Sequence, residues 1–176
     1  MEDHHLSIAY QGEKGAYSET AIERLYPEKN VKRLPFRTSY DVVEALKKGQ
    51  ADYGLLPIDN SIIGNITHTY DLLLENKLTI VKEVIIPIHH SMMTNKGVQV
   101  KDIRYIYSHP AAISQCEVFL RKFRDAEIIP TYDTAGSAKL IAEKELMDTA
   151  AIASESSASF YGLEILQKNL EDYPHN

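Results

Sequence analysis

The sequence predicts an α/β fold in two lobes, each a mostly parallel sheet flanked by helices, and three observations carry that prediction. Strand-like and helix-like segments alternate along the whole chain. The apolar run Leu78–Ile88 is longer than one average strand, so it reads as a crossover between lobes. Three strands end in polar clusters of one design: Asp59-Asn60-Ser61, Ser108-His109-Pro110 and Asp133-Thr134-Ala135-Gly136-Ser137. Open α/β folds place ligands at such junctions, and three of them predict one shared cleft.

In order, Leu6–Tyr10 reads as a strand, Ser18–Tyr26 as a helix and Val31–Leu34 as a strand. A helix starts near Ser39, where Thr38-Ser39-Tyr40-Asp41 carries a cap followed by an acid, and stops at Gly49. A strand over Tyr53–Ile58 and a helix over Ile66–Leu74 complete the first half. The second half starts again at His89–Thr94, then gives a strand at Ile103–Tyr107 and a helix at Pro110–Arg124, with Pro110 suited to the first helical position. A strand at Glu127–Pro130, a helix at Ala135–Lys144, a strand at Thr149–Ala153, a helix at Ser154–Phe160 and a strand at Leu163–Asn169 follow. The expected lobes are residues 1–86 with 163–176, the tail returning to the first, and residues 87–162. Two α/β lobes with a cleft between them is the architecture of two-lobed small-molecule binders.

With 176 residues, 44% hydrophobic and 25% charged, the composition is that of a soluble globular protein. A net charge of −6 without a Lys/Arg cluster argues against a nucleic-acid surface. Met1–His5 is polar with no apolar segment behind it, and no run reaches the roughly 20 residues of a membrane helix. A cytoplasmic protein without membrane contact is expected. A single cysteine, Cys116, excludes an intrachain disulfide and a multi-cysteine metal site, and reads as a buried thiol.

The chemistry-bearing residues each have a structural alternative. Asp59, Asn60 and Ser61 supply an acceptor, a two-faced hydrogen bonder and a donor at one strand end, or cap the next helix. His109 beside Pro110 is a general base or a cap, and Gln115 faces the cleft beside Ser108 or solvent. Thr134 and Ser137 meet a ligand or cap their own helix. Gly12-Glu13-Lys14-Gly15 is a tight strand-to-helix turn or a ligand contact. His89-His90, as strand neighbours, point oppositely and do not make a metal pair.

Taken together, six collinear motifs resemble the prephenate dehydratase family over nearly the whole chain. They are Gly12–Glu19, Ala51–Gly54 leading through Pro57–Ser61 to Gly64, Ser108-His109-Pro110 with Gln115-Cys116, Asp133–Ala138, Ala150–Ala153 and Tyr161–Leu163. The resemblance implies a type II periplasmic-binding-protein-like fold, a cytoplasmic homodimer or larger homo-oligomer, and no metal or organic cofactor. It also implies decarboxylative dehydration of prephenate to phenylpyruvate in phenylalanine biosynthesis, with arogenate as the alternative substrate and a non-catalytic sensor as the alternative from another class. Asp59, Asn60, Ser108 and Gln115 are the implied catalytic residues. Gly15, Ala16, Ser61, Gly64, His109, Pro110, Thr134, Ala135 and Gly136 are the implied substrate contacts. Departures are Asp59 for the usual Glu, Glu13 for a Pro and Ala16 for a Thr. The family's Thr-Arg-Phe motif and ACT regulatory domain would follow Asn176, so the resemblance implies a truncated catalytic domain or a member with an altered end.

Overall fold

In the computed structural model, which describes residues 5–27 and 30–174, the chain divides into two units. The first takes residues up to Gly12 with Tyr17–Ile86, and the second takes Glu13–Ala16 with the chain from Pro87 onward. Most of the polar N-terminal segment, Met1–His4, lies outside the described residues, as do His175 and Asn176.

The first unit is built on β1 (Ser7–Gln11), which runs parallel to its two neighbours at the centre of a three-stranded sheet. Ile8, Ala9 and Tyr10 are all buried, as a strand covered on both faces requires. After α1 (Tyr17–Leu25) comes β2 (Lys32–Phe36), two residues longer at its end than the sequence predicts. Pro35 fits inside it because β2 is an edge strand, where a missing N–H costs little. In α2 (Ser39–Lys47), Thr38 and Asp41 form a reciprocal capping box, and the helix lays Val42 and Ala45 against Ala9 and Ala51.

β3 (Tyr53–Leu55) is shorter than expected, and Pro57 lies in the stretch that leaves it. The polar junction that follows is an unforeseen antiparallel hairpin of β4 (Asp59–Asn60) and β5 (Gly64–Asn65), ahead of α3 (Thr67–Glu75). Residues 78–90 contain no helix or strand, in keeping with a crossover, and Ile80, Val81 and Ile85 on it are exposed.

The second unit holds β6 (Ser91–Thr94), a 3₁₀ turn at Val100–Asp102, β7 (Tyr105–Ser108), α4 (Pro110–Gln115), α5 (Glu117–Leu120) and β8 (Glu127–Pro130). It continues through α6 (Thr134–Glu143), β9 (Thr149–Ala153), α7 (Glu155–Tyr161) and β10 (Glu164–Lys168). The sheet order is β10-β6-β9-β7-β8. β7 pairs parallel with both β8 and β9, whereas β6 runs antiparallel to both β9 and β10, so this sheet is mixed. Every residue of β9 is buried, and its small side chains let α6 and α7 close one face through Met93, Ala138, Ile141 and Ala158. Met92, Ile106, Phe119 and Leu120 fill the other face.

Two expectations are corrected here. The tail does not return to the first lobe, because β10 pairs with β6 and packs Ile165 on one face of this sheet and Leu166 on the other. The helix expected over Pro110–Arg124 breaks at Cys116 (φ −117°, ψ 25°). There Asp172 N–H donates to the Gln115 carbonyl at 2.7 Å, and the Asp172 carboxylate accepts from Val118 N–H at 3.1 Å, replacing the helical ladder. Among the described residues no helix is long and apolar enough to cross a membrane.

Candidate active site

Strand register gathers most of the predicted residues on one edge of the second unit's sheet. Ser91 lies opposite Ala153 and Lys168, and Ser108 opposite Pro130, so the ends of β7, β8, β9 and β10 share that edge with the start of β6. Ser108 is the last residue of β7 and is fully buried; its hydroxyl donates to the Ile152 carbonyl at 2.7 Å. That proton ties β7 to β9 and is not offered to a ligand. His109 is exposed and caps α4, its Nδ1 accepting from Ala111 N–H at 3.2 Å, with Pro110 in the first turn. Of the two roles the sequence left open for His109, the capping geometry is the one present.

At the start of α6 the cap is Asp133 rather than Thr134 or Ser137. Its Oδ2 accepts from Gly136 N–H and Glu13 N–H, each at 3.1 Å. Burial raises the Asp133 pKa against these backbone bonds, and the Glu13 charge adds to the rise. Ala135 and Gly136, two of the implied substrate contacts, are buried, and the Gly136 N–H is already taken by the Asp133 cap. Glu13 also accepts from Tyr132 Oη at 2.9 Å and pairs with Lys139 at 3.0 Å.

Those bonds hold the Gly15 turn within the second unit. The Gly15 carbonyl accepts from the hydroxyls of Ser154, the α7 cap, and Ser157. Gly15 has φ +81°, and a Cβ there would stand 2.6 Å from the Ser157 Cα, so glycine is required both for conformation and for space. Ala16 is buried behind it.

Gln115, expected either in a cleft or on the surface, is 5% exposed, and its Oε1 lies within hydrogen-bond distance of His90 Nε2, at 2.9 Å. Glu171, whose side chain is almost fully buried, accepts from His90 N–H at 2.9 Å and from His89 Nδ1 at 2.7 Å. Burial pulls the His90 pKa down despite the Gln115 bond and the Glu171 charge, so the imidazole is neutral at pH 7. Cys116 beside it is buried, which together with Glu171 and Asp172 pushes its thiol up to about 12. Such a thiol is inert rather than nucleophilic. His90 and Glu171 are the members that sequence reasoning passed over, and Asp133 entered it only as part of a motif. The His89-His90 doublet was the available signal for the first, but it was weighed only as a metal pair; Glu171 carried no signal. Among the described residues no three His, Cys, Asp or Glu side chains group as a metal site.

The first unit carries the remaining group on its hairpin. Asn60 faces Gly64 across the pair, and its Oδ1 accepts from Ile62 and Ile63 N–H, both at 3.0 Å. Gly64 takes φ +85°, the left-handed geometry that closes the turn. Asp59 and Ser61 are exposed on either side. With its carbonyl oxygen used by the turn, Asn60 offers its amino group as a donor.

The family model for prephenate dehydratase matches residues 8–176, a span containing all of these residues. The chain is 44% identical over 170 residues to "Arogenate dehydratase/prephenate dehydratase 2, chloroplastic" of Arabidopsis thaliana, covering 95% of this chain and 43% of that one. It thus spans less than half the length of that curated relative. Among solved structures, the prephenate dehydratase of Arthrobacter aurescens in complex with L-Phe superposes with a TM-score of 0.87 at 28% identity, over 97% of this chain and 57% of that chain. A structure described as GqqA, a novel type of quorum quenching acylase, gives 0.83 at 32% identity over 94% of this chain and 60% of that one. With a match that runs from β1 to the end of the sequence, this chain belongs to the prephenate dehydratase family.

Proposed function

We propose that this chain supplies the catalytic part of a prephenate dehydratase. The carrying observation is the family match over residues 8–176, which takes in every candidate residue on both units. In the reaction the bond between the ring and its carboxylate breaks to release carbon dioxide. The freed electron pair enters the ring, the ring C–O bond breaks, and the departing hydroxide takes a proton to leave as water. Aromatisation drives the step, so the protein's task is orientation and donation to the leaving oxygen. Neutral donors suit it, since over-stabilising the ring carboxylate would oppose its loss.

Asn60 and Gln115 are the proposed donors to the hydroxyl or the pyruvyl group, with Asp59 orienting them. Ser61, Gly64, His109, Pro110, Thr134 and the Gly15–Ala16 turn are the proposed substrate contacts. Arogenate, which carries an amine in place of the pyruvyl ketone, is the alternative substrate, and the Arabidopsis relative bears both names. An acylase using Ser108 or Cys116 is disfavoured, because the Ser108 proton is committed to Ile152 and the Cys116 thiol is buried. A homodimer in the cytoplasm is the proposed setting, in line with the family resemblance. Product analysis after incubation with each compound tests the reading: phenylpyruvate from prephenate or phenylalanine from arogenate supports it, and hydrolysis of an acyl amide instead would replace it.

A further inference from the structure

We infer that the second unit carries a binding site for a small aryl carboxylate, in a cavity at the starts of β7 and β8, on the sheet edge opposite the candidate active site. This site goes beyond the dehydratase reading and does not rest on it.

The cavity holds about 320 Å³, at the lower end of the roughly 300–1,000 Å³ of small-molecule pockets. Met92, Phe119, Phe123 and Leu166 give it an apolar wall. Met92 and Phe119 belong to the core on this face of the sheet, and Phe123 and Leu166 pack against that core while only partly buried. The Phe119 and Phe123 rings are tilted by 54° with centroids 5.4 Å apart. Such a pair offers both a face and an edge to a third ring.

The polar part of the lining is dominated by cations. Lys101 comes from the 3₁₀ turn Val100–Asp102, and Lys122 and Arg124 come from the loop between α5 and β8, where Asp125 is the one carboxylate of the lining. Among the described residues none of these three cations pairs with a carboxylate. Lys122 Nζ stands 5.1 Å from the centroid of the Phe119 ring, so positive charge sits directly beside the aromatic wall. In the cavity of about 520 Å³ beside α4, by contrast, Arg121 is already paired with Glu117 at 2.8 Å.

A ligand with a ring at one end and a carboxylate at the other satisfies both halves of the lining. A bare anion would leave the apolar wall wet, and a neutral arene would leave the cations unused. The backbone that carries the cations is fixed by its own bonds. Gln99 N–H donates to the Asp102 carboxylate at 3.1 Å, Phe123 N–H to the Leu120 carbonyl at 2.9 Å, and Ala126 N–H to the Phe123 carbonyl at 3.2 Å. Binding therefore has little loop ordering to offset.

The test is a ¹H–¹⁵N NMR titration of the full chain with 3-phenylpropionate, with 3-phenylpropionamide and inorganic phosphate as comparison probes. The acid should give saturable shifts at the amides of Lys101, Lys122, Phe123 and Ala126. Lys122→Gln and Arg124→Gln should each weaken binding by about 5-fold, the worth of one partly exposed ion pair. Asp125→Asn should strengthen it, and added salt should weaken it. All three side chains are exposed, so the variants should keep the dispersion of the wild-type spectrum, which checks the fold. Absence of shifts at these four amides, equal affinity for the amide and the acid, a response to phosphate as strong as to phenylpropionate, or unchanged affinity in the variants overturns the inference.

Discussion

At the scale of single residues, several side chains with chemical potential are already committed to neighbours. Ser108, Asp133 and the oxygen end of Asn60 each hold a backbone group, and the Asn60 amino group is the donor proposed for the substrate. Asn60→Asp keeps the oxygen that accepts from Ile62 and Ile63 and removes the amino donor. It should leave Tm close to wild type and lower kcat by about 10²-fold, the typical loss on removing one preorganised donor. Gly15→Ala sets a Cβ against the Ser157 backbone at a positive φ, so it should cost about 1–3 kcal/mol, read as a lower urea midpoint.

The pH dependence of stability follows from the same residues. Burial depresses the His90 pKa below its ordinary 6.5, so the unfolded chain takes up this proton first and stability falls as the pH drops below about that value. For Glu171, burial opposes ionisation, yet bonds from His89 and the His90 N–H hold its carboxyl below 4.5. Its contribution is present above 4.5 and is lost as the pH falls through the folded value. Urea midpoints should fall in two stages on acidification, with His90→Leu removing the first stage and Glu171→Gln the second. Identical slopes for wild type and His90→Leu between pH 6.5 and 4.5 would contradict this.

At the scale of elements, the sequence placed strands and helices well wherever local signals act alone. Glu127–Pro130 and Thr149–Ala153 are strands at the predicted residues, and the Thr38–Asp41 capping box starts α2 as read. It failed where distant chain decides. The break between α4 and α5 is made by Asp172, some 55 residues away, and nothing local to Gln115-Cys116 announces it. The β4–β5 hairpin is held by the Asn60 side chain, a turn that the Asp59-Asn60-Ser61 cluster, read as a ligand contact or a helix cap, does not announce. β10 joined the second sheet because its apolar residues fit both faces there, a matter of packing and not of pattern. One consequence concerns Cys116, which sits inside the break: with its thiol buried and its pKa near 12, it should react with a thiol reagent only after unfolding. Fast labelling of the native chain would contradict that placement.

At the scale of the whole molecule, the division into two units and the family were both legible, because collinear motifs survive even where single roles are misassigned. Residues 78–90 lack hydrogen-bonded secondary structure and expose apolar side chains, so limited trypsin should cut first after Lys82. Early cleavage within either sheet would contradict the placement of the units. The claim most in need of a direct result is the chemistry. Conversion of prephenate and of arogenate by this chain, wild type beside Gln115→Leu, with products separated by chromatography and ligand binding followed by calorimetry, tests it most directly. The wild type should give phenylpyruvate or phenylalanine and the variant a sharply reduced rate; a wild type that neither turns over nor binds either compound would refute the dehydratase reading.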